Sequence, residues 1–389
     1  MRMINKISIY ADHAATTPLL PKAFEVMLPY FQTGFGNPSR SYTRGIKTRE
    51  AVTEARKKIA RCICSAPDEI YFTSGGTESN NWALAGVTKA LHNKGKHIVT
   101  SSIEHHAVLN CCKALEEDGY EVTYLPVTPT GKIEVEALDR ALRKDTLLVS
   151  IMLANNEIGT IQDIAALAKI AHNHGVLFHT DAVQAVGHIS VDVKRLGIDL
   201  LSASAHKFNG SQGCGFLYVK SGTPIRPFHK GGQQEQGLRA GTENVPGIVG
   251  MAVALEHHVC NFCGNQRRLR TLAERFKDIV LQGCPKVVFN GDFKCHLPGH
   301  ISVSFPGCDG EALMHILDLK GICVSTGAAC NSQSTEISHV LRAIDLEETS
   351  ARGTLRITLG NENTLQEVIT IANSIVEIVR KIIPQEKEK

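Results

Sequence analysis

Five short apolar runs in this chain each end in residues able to do chemistry. Residues 69–73 lead into Ser74-Gly75-Gly76-Thr77, and 97–101 into Glu104-His105-His106. Residues 147–153 lead into Asn155-Asn156-Glu157, 176–179 into Asp181 and Gln184, and 200–204, closing on Ser204, into Ala205-His206-Lys207. Paired glycines let backbone approach a ligand, and the N–H groups of a helix start, with hydroxyls beside them, suit a phosphate. No G-x-x-x-x-G-K-[ST] loop occurs. Taken singly, each feature has a plainer reading: a capping residue, a satisfied polar histidine, a solvated lysine. Their joint occurrence selects one cofactor. Pyridoxal phosphate needs a lysine for its Schiff base, an acid against its ring nitrogen, a phosphate cradle and a flat partner for its ring. Lys207, Asp181, the group Gly76, Thr77, Ser204 and His206, and His105 fill those roles in turn. The rival reading of the His and Asp groups is a metal. No H-E-x-x-H or two-His-one-carboxylate spacing is present, so no intrinsic metal is expected.

Cys330 stands apart from the other eleven cysteines. Its neighbours Thr326, Gly327, Ala328, Ala329, Asn331, Ser332 and Ser334 are small or polar and show no apolar period. That pattern predicts an exposed, mobile loop rather than a core cysteine. A free thiol has a pKa of about 8.5, so a nucleophile here needs a base or a favourable environment, and His339 is the one helper near in sequence. Cys260-Asn261-Phe262-Cys263 has zinc-knuckle spacing but no second pair to complete it, so packing is the better reading.

The elements that must position these residues follow from the same runs. Strands are expected at 69–73, 97–101, 122–126, 147–153, 176–179, 200–204 and 214–219. Helices are expected at 78–94, 106–118, 135–142, 161–174 and 194–196. This alternation predicts βαβ units and a mostly parallel sheet, with ligands at the carboxyl ends of its strands. A second unit, α+β, is expected from about residue 260, with helices at 266–282 and 365–383, strands at 300–305 and 355–359, and a helix-like 338–344.

These segments resemble the cysteine desulfurases of nitrogen fixation and iron–sulfur assembly, within the class V aminotransferase superfamily. The resemblance runs from Tyr10-Ala11-Asp12-His13-Ala14-Ala15-Thr16-Thr17-Pro18 to beyond Arg356. It is carried also by Phe72-Thr73-Ser74-Gly75-Gly76-Thr77-Glu78-Ser79, His179-Thr180-Asp181-Ala182-Val183-Gln184, Arg239-Ala240-Gly241-Thr242-Glu243-Asn244 and Ser325-Thr326-Gly327-Ala328-Ala329-Cys330. It implies a fold-type I α/β enzyme, with a large cofactor-binding domain at 15–259 and a small domain at 1–14 and 260–389 carrying the cysteine loop. It further implies that Lys207 carries the cofactor, Asp181 meets the ring nitrogen, Gln184 the phenolic oxygen, and that His105 stacks on the ring and assists proton transfer. Asn156 would lie near cofactor and substrate, with Asn155 structural, and Arg356 would bind the substrate carboxylate through its planar fork. Thr242 would reach the phosphate of a neighbouring subunit, which makes the protein a homodimer. The length of the segment after Cys330 resembles the group I branch. Gly327-Ala328-Ala329 departs from the usual Gly-Ser-Ala, and Gly231-Gly232-Gln233-Gln234 lacks a third glycine. The implied activity removes sulfur from L-cysteine, leaving L-alanine and a persulfide on Cys330 for an iron–sulfur scaffold or another sulfur acceptor. On this view Cys330 is the residue that would contact a cluster on a partner. A selenocysteine lyase or class V aminotransferase is the alternative on the same fold, and a catalytically silent scaffold the alternative outside enzymes.

Composition bounds the rest. The 389 residues are 43% hydrophobic and 21% charged, which excludes general disorder. A net charge of +3 and 5% aromatics give no reason to expect direct nucleic-acid or anionic-membrane binding. No apolar run approaches the roughly 18–20 residues that span a bilayer. Twelve cysteines in so long a chain, starting without a signal-like segment, predict reduced thiols and a cytoplasmic location.

Overall fold

The computed structural model describes residues 8–327 and 337–383. Its strands are β1 (Ile9–Tyr10), β2 (Ile70–Thr73), β3 (His97–Ser101), β4 (Glu121–Leu125), β5 (Thr146–Ser150), β6 (Leu177–Asp181), β7 (Leu200–Ser204), β8 (Gly215–Val219), β9 (Val288–Asn290), β10 (His300–Ser304), β11 (Ile322–Cys323), β12 (Ser325–Thr326) and β13 (Thr354–Thr358). The helices are α1 (Pro21–Phe31), α2 (Thr43–Cys62), α3 (Gly76–Leu91), α4 (His106–Glu117), α5 (Val135–Ala141), α6 (Ile164–Asn173), α7 (Val193–Leu196), α8 (Val245–Cys260), α9 (Phe262–Gly283), α10 (Gly310–Leu319), α11 (His339–Ala343), α12 (Glu348–Ala351) and α13 (Leu365–Ile382).

Seven strands form the principal sheet in the order β2-β8-β7-β6-β5-β3-β4. Pairing is parallel from β7 through β6, β5 and β3 to β4, while β8 runs antiparallel to both β2 and β7. Reversing twice across β8 brings β2 back into line with β7. The carboxyl ends of β2, β3, β5, β6 and β7 therefore share one rim, the arrangement expected from the sequence.

Successive strand residues point to opposite faces, and both faces are buried. Ile98, Leu148, Leu200 and Leu217 pack with Trp82, Leu84 and Val87 of α3 and Val108, Cys112 and Leu115 of α4. Their neighbours Val99, Val149, Leu201 and Phe216 pack on the other face with residues of α2, α6 and α8. Burial on both sides explains why these strands read as continuous apolar runs rather than alternating ones.

A second core surrounds the antiparallel sheet β12-β13-β10-β9. Leu269, Leu272, Phe276 and Val280 of α9 meet Val368, Ile371, Ala372, Ile375, Ile378 and Val379 of α13 at spacings of three and four. A capping box starts α13: the Thr364 hydroxyl accepts from Glu367 N at 3.2 Å, and Thr364 N donates to Glu367 Oε2 at 2.7 Å. Ala11 belongs to this second core, and the N-terminal segment is stitched into it. Strand β1 pairs with β11, Ala11 N donates to Cys323 O at 2.9 Å, and Thr358 N donates to Ala11 O at 2.8 Å. No helix among the described residues is long and apolar enough to cross a membrane.

Candidate active site

The rim bounds a cleft of about 320 Å³ lined by side chains from both sheets. Gly76, Thr77, His105, Asn156, Asp181, Gln184, Ser204, His206, Lys207 and Arg356, all singled out from sequence, line it together. Thr242 does not line it and lies exposed. Cys330 lies outside the described residues.

At one end the cleft opens into a pocket walled by Ser74, Gly75, Gly76, Thr77, Ser204 and His206. Gly75 has φ +151°, which disfavours a side chain, and lets α3 begin directly after β2. A Cβ on Gly76 would stand 2.5 Å from Val183 Cγ2, so the helix start packs closely on Val183, and Gly76 itself lines the pocket without a side chain. Glu78 in the first turn would oppose an anion, but it is engaged elsewhere. Ser74 N donates to its Oε2 at 2.8 Å, and Arg239 Nε donates to its Oε1 at 2.8 Å. Burial alone would raise the Glu78 carboxyl; Arg239 and Ser74 instead hold it below the usual carboxylate range. Burial, reinforced by Lys207, lowers the His206 pKa to about 4, so its imidazole is neutral.

Asp181 closes β6 rather than following it, and both its oxygens are held. Asn80 Nδ2 donates to Oδ2 at 2.6 Å and Val183 N donates to Oδ1 at 2.9 Å. Lys207 ends a single 3₁₀ turn after β7, and its Nζ donates to the carbonyls of Ala14 at 2.6 Å and Ala15 at 2.8 Å. Gln184 Nε2 donates to the same Ala14 oxygen at 3.0 Å. His105 caps α4: Ala107 N donates to its Nδ1 at 3.1 Å, so in the neutral ring the proton sits on Nε2. Burial lowers the His105 pKa; Asp181 raises it, and Lys207 and His106 lower it further.

The loop after β5 joins the two sheets. Asn155 is wholly internal: its Nδ2 donates to Ile103 O at 2.9 Å and its Oδ1 accepts from Glu157 N and Ile158 N. Arg356 on β13 donates through Nη1 to Asn156 O at 3.1 Å and through Nη2 to Asp12 Oδ1 at 2.8 Å. It is 2% exposed, and its Nε has no hydrogen-bond partner among the described residues. Ser338, ahead of α11, donates to Glu157 Oε2 at 2.5 Å. His339 contacts Glu104 O through Nε2 at 2.9 Å, and its ring packs against His106 rather than lining the cleft. Beneath His105, Glu104 is fully buried; burial raises its carboxyl to about 8.

Sequence reasoning missed Asn80, Met152 and Val183 of the lining, the carbonyls of Ala14 and Ala15, and Asp12. Asn80 stands four residues after Gly76 and three after Thr77, on one face of the helix start, a spacing that could have flagged it.

The geometry fits an anionic, aromatic, carbonyl-bearing cofactor: a bare-backbone pocket at a helix start, a fixed carboxylate, an imidazole and a lysine. Residues 9–371 match the class-V aminotransferase family. Cysteine desulfurase IscS of Dictyoglomus turgidum is 50% identical over 386 residues, covering 98% of each chain. The chain is a class-V aminotransferase family member, of the cysteine desulfurase branch. Cysteine desulfurase IscS of Methanosarcina thermophila is 48% identical, over 96% of this chain and 93% of that one. Among solved structures, a NifS-like protein superposes with TM-score 0.91 at 37% identity, covering 96% of this chain and 100% of its own. SspA in complex with cysteine superposes with TM-score 0.80 at 37% identity, covering 90% of this chain and 99% of its own. The fold is accordingly that of the fold-type I cysteine desulfurases, as expected.

Proposed function

We propose that this chain is a pyridoxal-phosphate cysteine desulfurase that converts L-cysteine to L-alanine and leaves the sulfur as a persulfide on Cys330. The single observation that carries the reading is the convergence of Lys207, Asp181, His105 and Arg356 on one cleft beside a glycine-walled anion pocket. Pyridoxal phosphate, when bound, supplies an electron sink for the pair left as the substrate Cα loses its proton.

The chain's own residues do the rest. Gly76, Thr77, Ser204 and His206 would hold the phosphate, the helix start supplying N–H donors. Asp181, fixed through both oxygens, would hold a proton on the ring nitrogen. Gln184 would meet the phenolic oxygen. His105, neutral with its proton on Nε2, would lie against the ring. Lys207 Nζ would take the Cα proton once the substrate amine has displaced it, and the Ala14 and Ala15 carbonyls would keep it near. Arg356 would bind the substrate carboxylate, with Asn156 beside it. At Cys330 the thiolate sulfur would bond to the substrate sulfur as the substrate carbon–sulfur bond breaks.

The two hydrophobic cores support a large unit at 15–259 and a small one at 1–14 and 260–389. Thr242, exposed on its own subunit, supports a homodimer in which it completes the partner's phosphate site. Eleven cysteines among the described residues are free thiols, which supports a reducing, cytoplasmic setting. The persulfide would pass to an acceptor such as an iron–sulfur scaffold. Incubation of the purified protein with L-cysteine and assay of alanine tests the reading; a protein that takes up the cofactor yet makes no alanine would overturn it.

A further inference from the structure

Arg356 is the residue proposed above to take the substrate carboxylate, and its orientation is set by a residue that does not line the cleft. Asp12 sits between β1 and the segment that carries Ala14 and Ala15. Its backbone is pinned on both sides, since Ala11 N donates to Cys323 O at 2.9 Å and His13 N to Thr358 O at 3.2 Å. Both carboxylate oxygens are used: Oδ1 accepts from Arg356 Nη2 at 2.8 Å and Oδ2 accepts from Ser325 Oγ at 2.7 Å. Ser325 and Arg356 are themselves cross-strand partners on β12 and β13. The Asp12 carboxylate is therefore held from two neighbouring strands, by the Ser325 hydroxyl on one and the Arg356 guanidinium on the other.

We propose that Asp12 is a positioning residue that fixes the Arg356 guanidinium plane so that its remaining N–H donors face the substrate carboxylate. Two acceptors from different parts of the chain, Asp12 Oδ1 and Asn156 O, occupy one N–H of each Nη. The Nε donor, buried and unpartnered among the described residues, remains for a ligand. A planar guanidinium has one useful rotation about its long axis, and two fixed acceptors determine it. The ion pair is nearly dry, with side-chain exposures of 3% and 14%, so water does not substitute for the lost partner at low cost. The Asp12 charge also offsets that of Arg356. Selection of the substrate thus rests on directed hydrogen bonds rather than on a bare positive charge that would accept any anion.

The inference rests on the proposed function, and the test separates the two. The holoenzyme is titrated with L-cysteine and with cysteamine, which keeps amine and thiol but lacks the carboxylate, and the change in cofactor absorbance is followed. Wild type is expected to prefer L-cysteine; failure to respond to L-cysteine at all would count against the function itself. In Asp12→Ala, L-cysteine binding should weaken by about 10- to 100-fold, the range for losing a charge-assisted hydrogen bond that orients a group, while cysteamine binding stays unchanged. Asp12→Asn keeps an oxygen toward Arg356, and the Ser325 hydroxyl can reverse to accept, so it should restore most of the preference. If Asp12→Ala folds poorly, Ser325→Ala, which frees one end of the carboxylate, should show a smaller loss of the same preference. Equal weakening toward both amines would show a merely structural role and overturn the proposal. An undiminished preference in Asp12→Ala or, where that variant is unstable, in Ser325→Ala would overturn it as well.

Discussion

Gly76→Ala tests the anion pocket with one methyl group. Gly76 is the first residue of α3 and its φ is not positive, so alanine meets no backbone penalty and gains slightly in helix propensity. The obstacle is steric: the new Cβ would stand 2.5 Å from Val183 Cγ2, with Ser204 Cβ at 3.6 Å. Carbon–carbon contacts settle at about 3.5–4.0 Å, so Val183 or the helix start must move by about 1 Å or more. Overpacking of this kind costs about 1–3 kcal/mol. Gly76 lines the proposed phosphate pocket, and Val183 shares the cleft wall with Asp181 and Gln184. The strain should therefore appear mainly as weaker cofactor binding, about 5- to 150-fold in Kd. Apo-protein titrated with pyridoxal phosphate, read by absorbance and by thermal shift, measures it. Val183→Ala deletes the opposing methyl, so the double variant should recover most of the lost affinity. Wild-type affinity in Gly76→Ala, or no recovery in the double variant, would refute the placement of the helix start against the cofactor.

Three further outcomes are expected. Borohydride treatment of the loaded protein should leave the cofactor attached to the peptide containing Lys207, and Lys207→Ala should bind it only reversibly; peptide mass analysis decides. Burial raises Glu104 from an ordinary 4.5 to about 8, so its stabilising contribution is complete below about pH 4.5 and fades as pH rises through 8. Glu104→Gln keeps an oxygen for the Ser101 and Met152 donors without titrating, so its melting temperature relative to wild type should climb between pH 5 and 8; a flat difference would contradict the buried neutral acid. Sedimentation should give roughly twice the 42.3 kDa chain mass, and an active monomer at micromolar concentration would remove the role given to Thr242.

The rim was legible because its parts are side chains in register with strand ends. Lys207, Asp181 and His105 each follow or close an apolar run, and the runs at 97–101 and 200–204 match β3 and β7 in full. Strand direction was not legible: a short buried run reads the same in either direction, so the antiparallel placement of β8 carries no mark. Helix α8 escaped notice because Gly247, Gly250, Met251, Ala252 and Ala254 spread small or apolar residues nearly all round, as suits a helix packed between others, which erases the one-sided period. The Lys207 acceptors are backbone carbonyls of Ala14 and Ala15, atoms every residue has, so no residue type announces them. Asp12 meets Arg356 across 344 positions of sequence, a closeness only the folded N-terminal segment creates.

The central claim, that sulfur leaves L-cysteine for Cys330, is tested most directly by one comparison. Wild type and Cys330→Ala, both loaded with cofactor, are mixed with L-cysteine, and alanine and the mass of the Cys330 peptide are measured. Wild type should form alanine and gain one sulfur atom on that peptide. Cys330→Ala retains Lys207, Asp181 and Arg356 and should still bind L-cysteine, seen as a change in cofactor absorbance, yet form almost no alanine, because attack requires reacting atoms within about 3–3.5 Å and no cysteine among the described residues lines the cleft. Alanine formation by Cys330→Ala at the wild-type rate would show that Cys330 is not the sulfur acceptor.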